Sequence, residues 1–295
     1  MTMAIPEGFH DRRADGDTTL RQCQLVQLHL LYVLDAICKE LNLTYFLGGG
    51  SALGAARHNG FIPWDDDLDV GMPMKDYKQF LKRAREFLPK DVALQTQKDT
   101  PRTHVAFAKL RDLRSFYFEA APDFVTTDPN GIYLDIFPYE EFPNVPLVVQ
   151  KFLVQACASS WARKQWLYNQ TRKSLLHAWF CSTLAETCGF VHVLVRGLIS
   201  FLRLFIPCKH TFIFCEGGYY HRYETSWIYP TEKHIFEDGE FAVPGRLDEY
   251  LTSQYGDWHW IPPPEKRPRH AKIIDPFRTA DAAAITFRDE VDVSI

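Results

Sequence analysis

No two of the seven cysteines (Cys23, Cys38, Cys157, Cys181, Cys188, Cys208 and Cys215) have C-x-x-C spacing, and their odd number rules out a complete disulfide set. Zinc-ribbon and thioredoxin-type chemistry are therefore excluded, and buried, reduced thiols are expected. The N-terminal MTMAIPEGFHDRRADGD lacks the apolar core of a secretory leader and the Arg-rich, acid-poor make-up of a transit peptide, so a cytoplasmic product is expected. The longest apolar stretch, Gly189 to Cys208, is broken by His192, Arg196 and Arg203, and no membrane-spanning helix is expected from it. With 33 Lys and Arg against 37 Asp and Glu, the net charge of −4 leaves no broad basic surface, so nucleic acid is not expected as a partner. Internal repeats and low-complexity tracts are also missing.

What is present suffices for a globular fold. The 295 residues are 46% hydrophobic, enough to bury a full core as one elaborated domain or two small ones. Thr18 to Leu41 has no proline or glycine and carries Leu28, Leu31, Leu34, Cys38 and Leu41 at helical steps, which predicts a long opening helix. Leu43 to Leu47 reads as a buried strand running into Gly48-Gly49-Gly50, and Ser51 to Arg57 as a helix with Ser51 near its N-cap. Lys75 to Leu88 has helical phase, while 105–110, 115–118 and 132–137 read as strands. The first half is thus mixed α/β. Residues 151–210 differ, with eight Lys and Arg against the single acid Glu186, a net of +7, plus Trp161, Trp166 and Trp179. That segment reads as two or three basic helices with either a solvated face or a contact to an anionic membrane surface. Past Phe277 the chain reads as a polar tail.

The chemistry concentrates in Pro63-Trp-Asp-Asp-Asp-Leu-Asp-Val-Gly71, which places Asp65, Asp66, Asp67 and Asp69 within five positions. Carboxylates this close oppose each other's ionisation, and a hard divalent cation relieves the conflict. Alternation along a strand puts Asp67 and Asp69 on one face, as a pair suited to Mg²⁺. Asp135, alone between apolar neighbours in Tyr133-Leu-Asp-Ile-Phe137, is the candidate third ligand; its other use would be pairing with a cation such as Arg57. Magnesium held by few carboxylates completes its shell with water and substrate phosphates. Gly49, Gly50 and Ser51 at a helix start could face such a phosphate, although the turn fits neither the P-loop nor the G-x-G-x-x-G pattern. The Asp65-x-Asp67-x-Asp69 spacing also fails as a calcium loop, because Val70 stands at the obligatory glycine. Arg57, His58, Lys109, Lys266, Arg267, Arg269 and His270 are the cations available to phosphoryl charge. Tyr255-Gly-Asp-Trp258 offers aromatic rings for a base or a cationic head group.

Residues Gly49 to Met72, together with Asp135-Ile-Phe-Pro138, Tyr255-Gly-Asp-Trp258 and Pro262-Pro-Pro-Glu-Lys-Arg267, resemble the signature of LicD-type phosphorylcholine transferases, which fukutin and fukutin-related protein share. The resemblance implies a nucleotidyltransferase-like α+β fold, a mixed sheet flanked by helices, with a basic, mostly helical insert. It implies a catalytic core at 1–145, the insert at 146–215, and a C-terminal part at 216–295 completing the catalytic domain. Carried onto this chain, it makes Asp67, Asp69 and Asp135 the metal-binding and catalytic acids, Asp135 also accepting the acceptor's proton. Gly49, Gly50, Ser51, Arg57, Lys266 and Arg267 would hold the donor. The implied reaction moves a phosphocholine-like group from a CDP-alcohol to a sugar hydroxyl, releasing CMP, with Mg²⁺ or Mn²⁺ as cofactor. The acceptor would be a cell-surface or lipid-linked glycan such as lipopolysaccharide or teichoic acid, and the enzyme cytoplasmic or peripheral at the inner membrane face through 151–210. A nucleotidyltransferase acting on an NTP and a non-catalytic glycan- or membrane-binding descendant are the alternatives.

Overall fold

The computed structural model describes residues 11–96, 99, 107–119, 130–169, 174–215, 218–267 and 269–278. Helix α1 (Thr19–Leu41) begins where extended Thr18 accepts the Arg21 N–H on its side chain, and stops at left-handed Asn42, φ 51°. Both are ordinary helix stop and start signals. Leu30, Leu31, Leu34 and Ile37 of α1 are fully buried and share the main core with Phe46 and Leu47. Each such side chain contributes about 1.5–3 kcal/mol through removal from water.

The elements that follow are β1 (Phe46–Leu47), α2 (Gly49–His58), β2 (Asp69–Pro73), α3 (Met74–Arg83), β3 (Val92–Gln95), β4 (Ala108–Asp112), β5 (Phe116–Glu119) and β6 (Tyr133–Pro143). In the main sheet the order is β1-β2-β6-β4-β3, with β6 also pairing β7 (Cys208–Cys215), and β7 pairing β8 (Gly218–Glu224). The β2–β6 pair is parallel, whereas β1–β2, β4–β6 and β6–β7 are antiparallel. The sheet is therefore mixed, and helices flank it. Strand β6 organises it: its first residues lie beside both β2 and β4, and its last beside β7. The strand expected at 105–110 starts at Ala108; residues 105 and 106 lie outside the described ones. The chain ends its described part with α6 (Thr225–Ile228), the hairpin β9 (Glu232–Phe236) and β10 (Gly239–Val243), α7 (Leu247–Tyr255), and β11 (Ala271–Asp275). Strand β11 pairs with β5 in a small second sheet. The polar tail beyond Phe277 lies outside the described residues apart from Arg278.

The basic segment forms a helical hairpin of α4 (Leu147–Asn169) and α5 (Leu175–Leu202). Helix ends at Leu202, and 208–215 returns to the main sheet as β7, so the helical part is shorter than 146–215. From Trp179 to Leu202, α5 is long and apolar enough by length and composition to cross a membrane, with mean hydropathy 1.4. The charges that interrupt the run in sequence turn toward the protein. Arg196 and Arg203 each lie 2.9 Å from the buried Glu140 of β6, and His192 Nδ1 lies 3.1 Å from the Cys157 carbonyl. Burial holds His192 below the usual histidine range.

Candidate active site

Asp69 and Asp135 are register partners across the parallel β2–β6 pair, so two strands distant in sequence bring their carboxylates together. The Asp135 N–H donates to the Leu68 carbonyl at 2.9 Å, tying the chain just before β2 to β6. Asp67 lies two positions before Asp69 and acts on its charge. On the other side of β6, Lys109 of β4 is the register partner of Asp135, with Nζ 3.0 Å from Oδ1 and 3.5 Å from the Tyr133 ring centroid. The cation that meets Asp135 is therefore Lys109, and Arg57 lies elsewhere. A lone Lys in the apolar run Val105 to Leu110 is the signal for it, the same one that marks Asp135.

The aspartate loop is held from beneath by α1. Gln24 Nε2 donates to the Asp65 carbonyl at 3.0 Å, and Gln27 Nε2 to the Asp66 carbonyl at 2.7 Å. Neither amide was flagged by the sequence, since an uncharged Gln within an apolar helix has no distinguishing pattern. Asp66 is buried and accepts from the His270 N–H at 3.2 Å, His270 Nδ1 at 2.9 Å and the Ala271 N–H at 2.9 Å. Burial alone would raise the Asp66 pKa, but these donors bring it below the usual range. The same bond holds His270 up at about 9. Asp65, Asp66 and His270 have ligand atoms within 4.8 Å of one another. This triad is better explained as a tether than as a metal site: the Asp66 oxygens are already taken by three N–H groups, and a protonated His offers no lone pair. It fastens the start of β11 over the aspartate loop.

The remaining acids are not neutralised in this way. Burial, then Asp67, pushes Asp65 up to about 8. Burial raises Asp67 despite the opposing pull of His270. Asp69 is raised well above the carboxylate range by burial first, then by Asp67, Asp135 and Asp65. Among the described residues, Lys109, His270 and Arg57 are the cations that act on these acids, too few for five carboxylates. An all-oxygen donor set with surplus negative charge fits a hard divalent cation, and Asp67, Asp69 and Asp135 are the residues that would hold it.

The glycine turn is built against these acids. Gly49 has φ +46°, and a Cβ there would stand 2.8 Å from Asp69 Oδ2; a Cβ on Gly50 would stand 2.9 Å from Asp65 Oδ2. The Gly49 N–H donates to the Tyr250 hydroxyl at 3.3 Å, and that hydroxyl lies 2.9 Å from the Tyr139 hydroxyl. Gly48 is the N-cap of α2, and Ser51 sits in the first turn, near the cap as expected. Its Oγ accepts the Asp69 N–H at 2.8 Å. The turn read from sequence as facing a phosphate thus meets the protein's own carboxylates, near a helix N-terminus that favours negative charge. Gly49→Ala is expected to cost about 1–2 kcal/mol through its left-handed backbone, and to lower turnover about 10²-fold by displacing the Asp69 carboxylate; a thermal melt and a rate measurement check both.

The other expected cations are less central. Arg57 donates to the Trp258 and Trp260 carbonyls at 3.2 and 3.1 Å, and burial lowers its pKa against the pull of Tyr255 and Asp65. It therefore links α2 to the Tyr255–Trp258 segment at the edge of the cluster. Arg267 stacks 3.8 Å over the Trp64 ring, and Lys266 is exposed. Neither is hydrogen-bonded to a carboxylate of the cluster among the described residues.

Residues 42–179 match the family model described as LicD/FKTN/FKRP, nucleotidyltransferase domain. That span reaches into α5 and includes all of α4. The chain is 29% identical over 274 residues to lipopolysaccharide cholinephosphotransferase LicD of Haemophilus influenzae, covering 85% of this chain and 96% of that protein. It is 37% identical over 71 residues to human ribitol 5-phosphate transferase FKRP, covering 24% of this chain and 14% of that one. An uncharacterized protein of Rickettsia typhi matches at 44% over 46 residues, 16% of this chain and 15% of its own length. The strands and glycine turn that carry the five aspartates all lie within the span that matches the LicD/FKTN/FKRP nucleotidyltransferase domain.

Proposed function

We propose that this phosphotransferase moves a phospho-alcohol, phosphocholine or a similar group, from a CDP-alcohol to a sugar hydroxyl of a cell-surface or lipid-linked glycan. The observation that carries the reading is the Asp69–Asp135 register, which assembles Asp67, Asp69 and Asp135 beside a glycine turn. The named activities of the Haemophilus and human relatives, transfer of phosphocholine and of ribitol 5-phosphate, support the phospho-alcohol class.

In the proposed step the sugar oxygen attacks the phosphorus that bears the alcohol. A new P–O bond forms, the P–O bond to the cytidylyl phosphate breaks, and CMP leaves with the electron pair. The hydroxyl proton passes to a carboxylate of the cluster. A bound Mg²⁺ or Mn²⁺ would supply Lewis-acid stabilisation of the phosphoryl oxygens. Asp67, Asp69 and Asp135 would hold the cation, and Lys109 offsets the charge of Asp135 and fixes its position. Ser51 and Tyr250 keep the turn and the aspartate strand in register, and the His270–Asp66 tether closes the C-terminal segment over the loop.

Incubation with Mg²⁺ and a panel of CDP-choline, CDP-ethanolamine, CDP-ribitol and CDP-glycerol tests this. Metal-dependent CMP release with one preferred donor supports the reading. Pyrophosphate release from an NTP, with no turnover of any CDP-alcohol, would replace it by nucleotidyl transfer, and inertness toward both classes by a binding role.

A further inference from the structure

Most of the large hydrophobic side chains exposed among the described residues lie between Leu147 and Phe205. On α5 they form a stripe at three- and four-residue steps that includes Leu176, Phe180, Phe190, Leu194, Leu198 and Phe201. Leu176 is 83% exposed and Phe190 62%. The opposite face, with Cys181, Ala185, His192 and Ile199, is packed. Thr183 and Thr187 fall within the stripe, but their hydroxyls donate to the Trp179 and Thr183 carbonyls at 2.9 and 3.0 Å. With those hydroxyls bonded inside the helix, the outer face loses most of its need for water. A contiguous apolar face of this kind marks an interaction surface.

Charge selects the occupant. From 147 to 210 Glu186 is the single acid, while Lys151, Arg163 and Lys209 are exposed. A second copy packed by two-fold symmetry would set like charges against each other. An anionic lipid surface complements them, and Trp166 and Trp179, 60% and 70% exposed, suit the headgroup boundary. We infer that the α4–α5 hairpin seats the protein on a bilayer bearing anionic headgroups, with α5 lying along the interface and its stripe at the acyl boundary. Lying, and not crossing, follows from the inner face: Arg196 and Arg203 are both held to Glu140, and a spanning α5 would carry that buried ion cluster into hydrocarbon.

The inference stands apart from the transfer chemistry, and its test needs no turnover. The full chain is floated with phosphatidylcholine vesicles and with mixed phosphatidylcholine–phosphatidylglycerol vesicles. Binding to the mixed vesicles is expected, weakening severalfold as salt rises from about 0.1 to about 1 M. Phe190→Glu/Leu194→Glu is expected to lower the partition constant at least about tenfold, and Lys151→Glu/Arg163→Glu to remove most of the preference for anionic lipid. Both variants should keep the wild-type melting temperature. Three results overturn the inference. One is wild-type protein that binds neither vesicle; another is a Phe190→Glu/Leu194→Glu variant that binds like wild type. The third is a wild-type dimer, made monomeric by that variant, which would give the stripe to a second copy.

Discussion

Asp69→Asn is expected to lower CMP release from the preferred CDP-alcohol at least about 10³-fold, equivalent to about 4 kcal/mol of transition-state stabilisation, while the protein stays folded. The substitution preserves shape, and the bond from the residue 69 N–H to Ser51 Oγ is a backbone bond that survives it. It also removes one charge from a crowded set, in which Asp67, Asp135 and Asp65 all act on Asp69. In metal-free buffer the variant should therefore melt at or above the wild-type temperature. Saturating Mg²⁺ is expected to stabilise wild type, by about 2.7 kcal/mol at a hundredfold excess over Kd, and to leave the variant almost unmoved. Asp135→Asn should lose turnover similarly yet melt lower, because Lys109 would lose the carboxylate 3.0 Å away. Thermal melts with and without Mg²⁺, set beside initial rates, separate the two. An Asp69→Asn protein that kept wild-type turnover would remove Asp69 from the site.

Glu140→Ala is expected to destabilise the protein by about 3 kcal/mol, lowering the melting temperature by roughly 6–12 °C. Glu140 is buried on β6, 2.9 Å from both Arg196 and Arg203 and 3.0 Å from the Tyr219 hydroxyl. Truncation leaves two guanidiniums and a hydroxyl without their shared acceptor. The value lies at the low end for a broken buried pair because the arginine side chains, 24% and 25% exposed, retain some access to water. Since this cluster joins α5 to the sheet, protease cleavage should appear first within α4–α5. The triple substitution Glu140→Leu/Arg196→Met/Arg203→Met is expected to recover much of the loss, because apolar packing spares all three ions their desolvation. A triple variant less stable than Glu140→Ala would contradict this account of the hairpin's attachment.

The acids were legible because a charge between apolar neighbours in a strand needs a partner, and Asp69 and Asp135 both showed that pattern. Their pairing was not, since parallel register joins segments more than sixty residues apart and leaves no local trace. Lys109 could be read by the same reasoning as Asp135. Gln24 and Gln27 could not, as neutral amides in an apolar helix look like ordinary polar positions. The glycine turn was correctly located, but its immediate neighbours differ: the space beside Gly49 and Gly50 is filled by Asp69 and Asp65. Composition showed that 151–210 was basic and aromatic. Which face its charges took depended on Glu140, more than fifty residues before Arg196 in sequence, so a periodicity argument confined to α5 could not orient it.

Phosphorus NMR of the products formed from the preferred CDP-alcohol, Mg²⁺ and a sugar acceptor tests the central claim most directly, because it reports which P–O bond is made. The expected spectrum gains CMP and a phosphodiester joining the alcohol phosphate to the sugar in equal amounts, and gains neither with Asp69→Asn. A product in which the sugar carries the cytidylyl phosphate, with free phospho-alcohol released, would contradict phospho-alcohol transfer and make the aspartate cluster a nucleotidyl-transfer site.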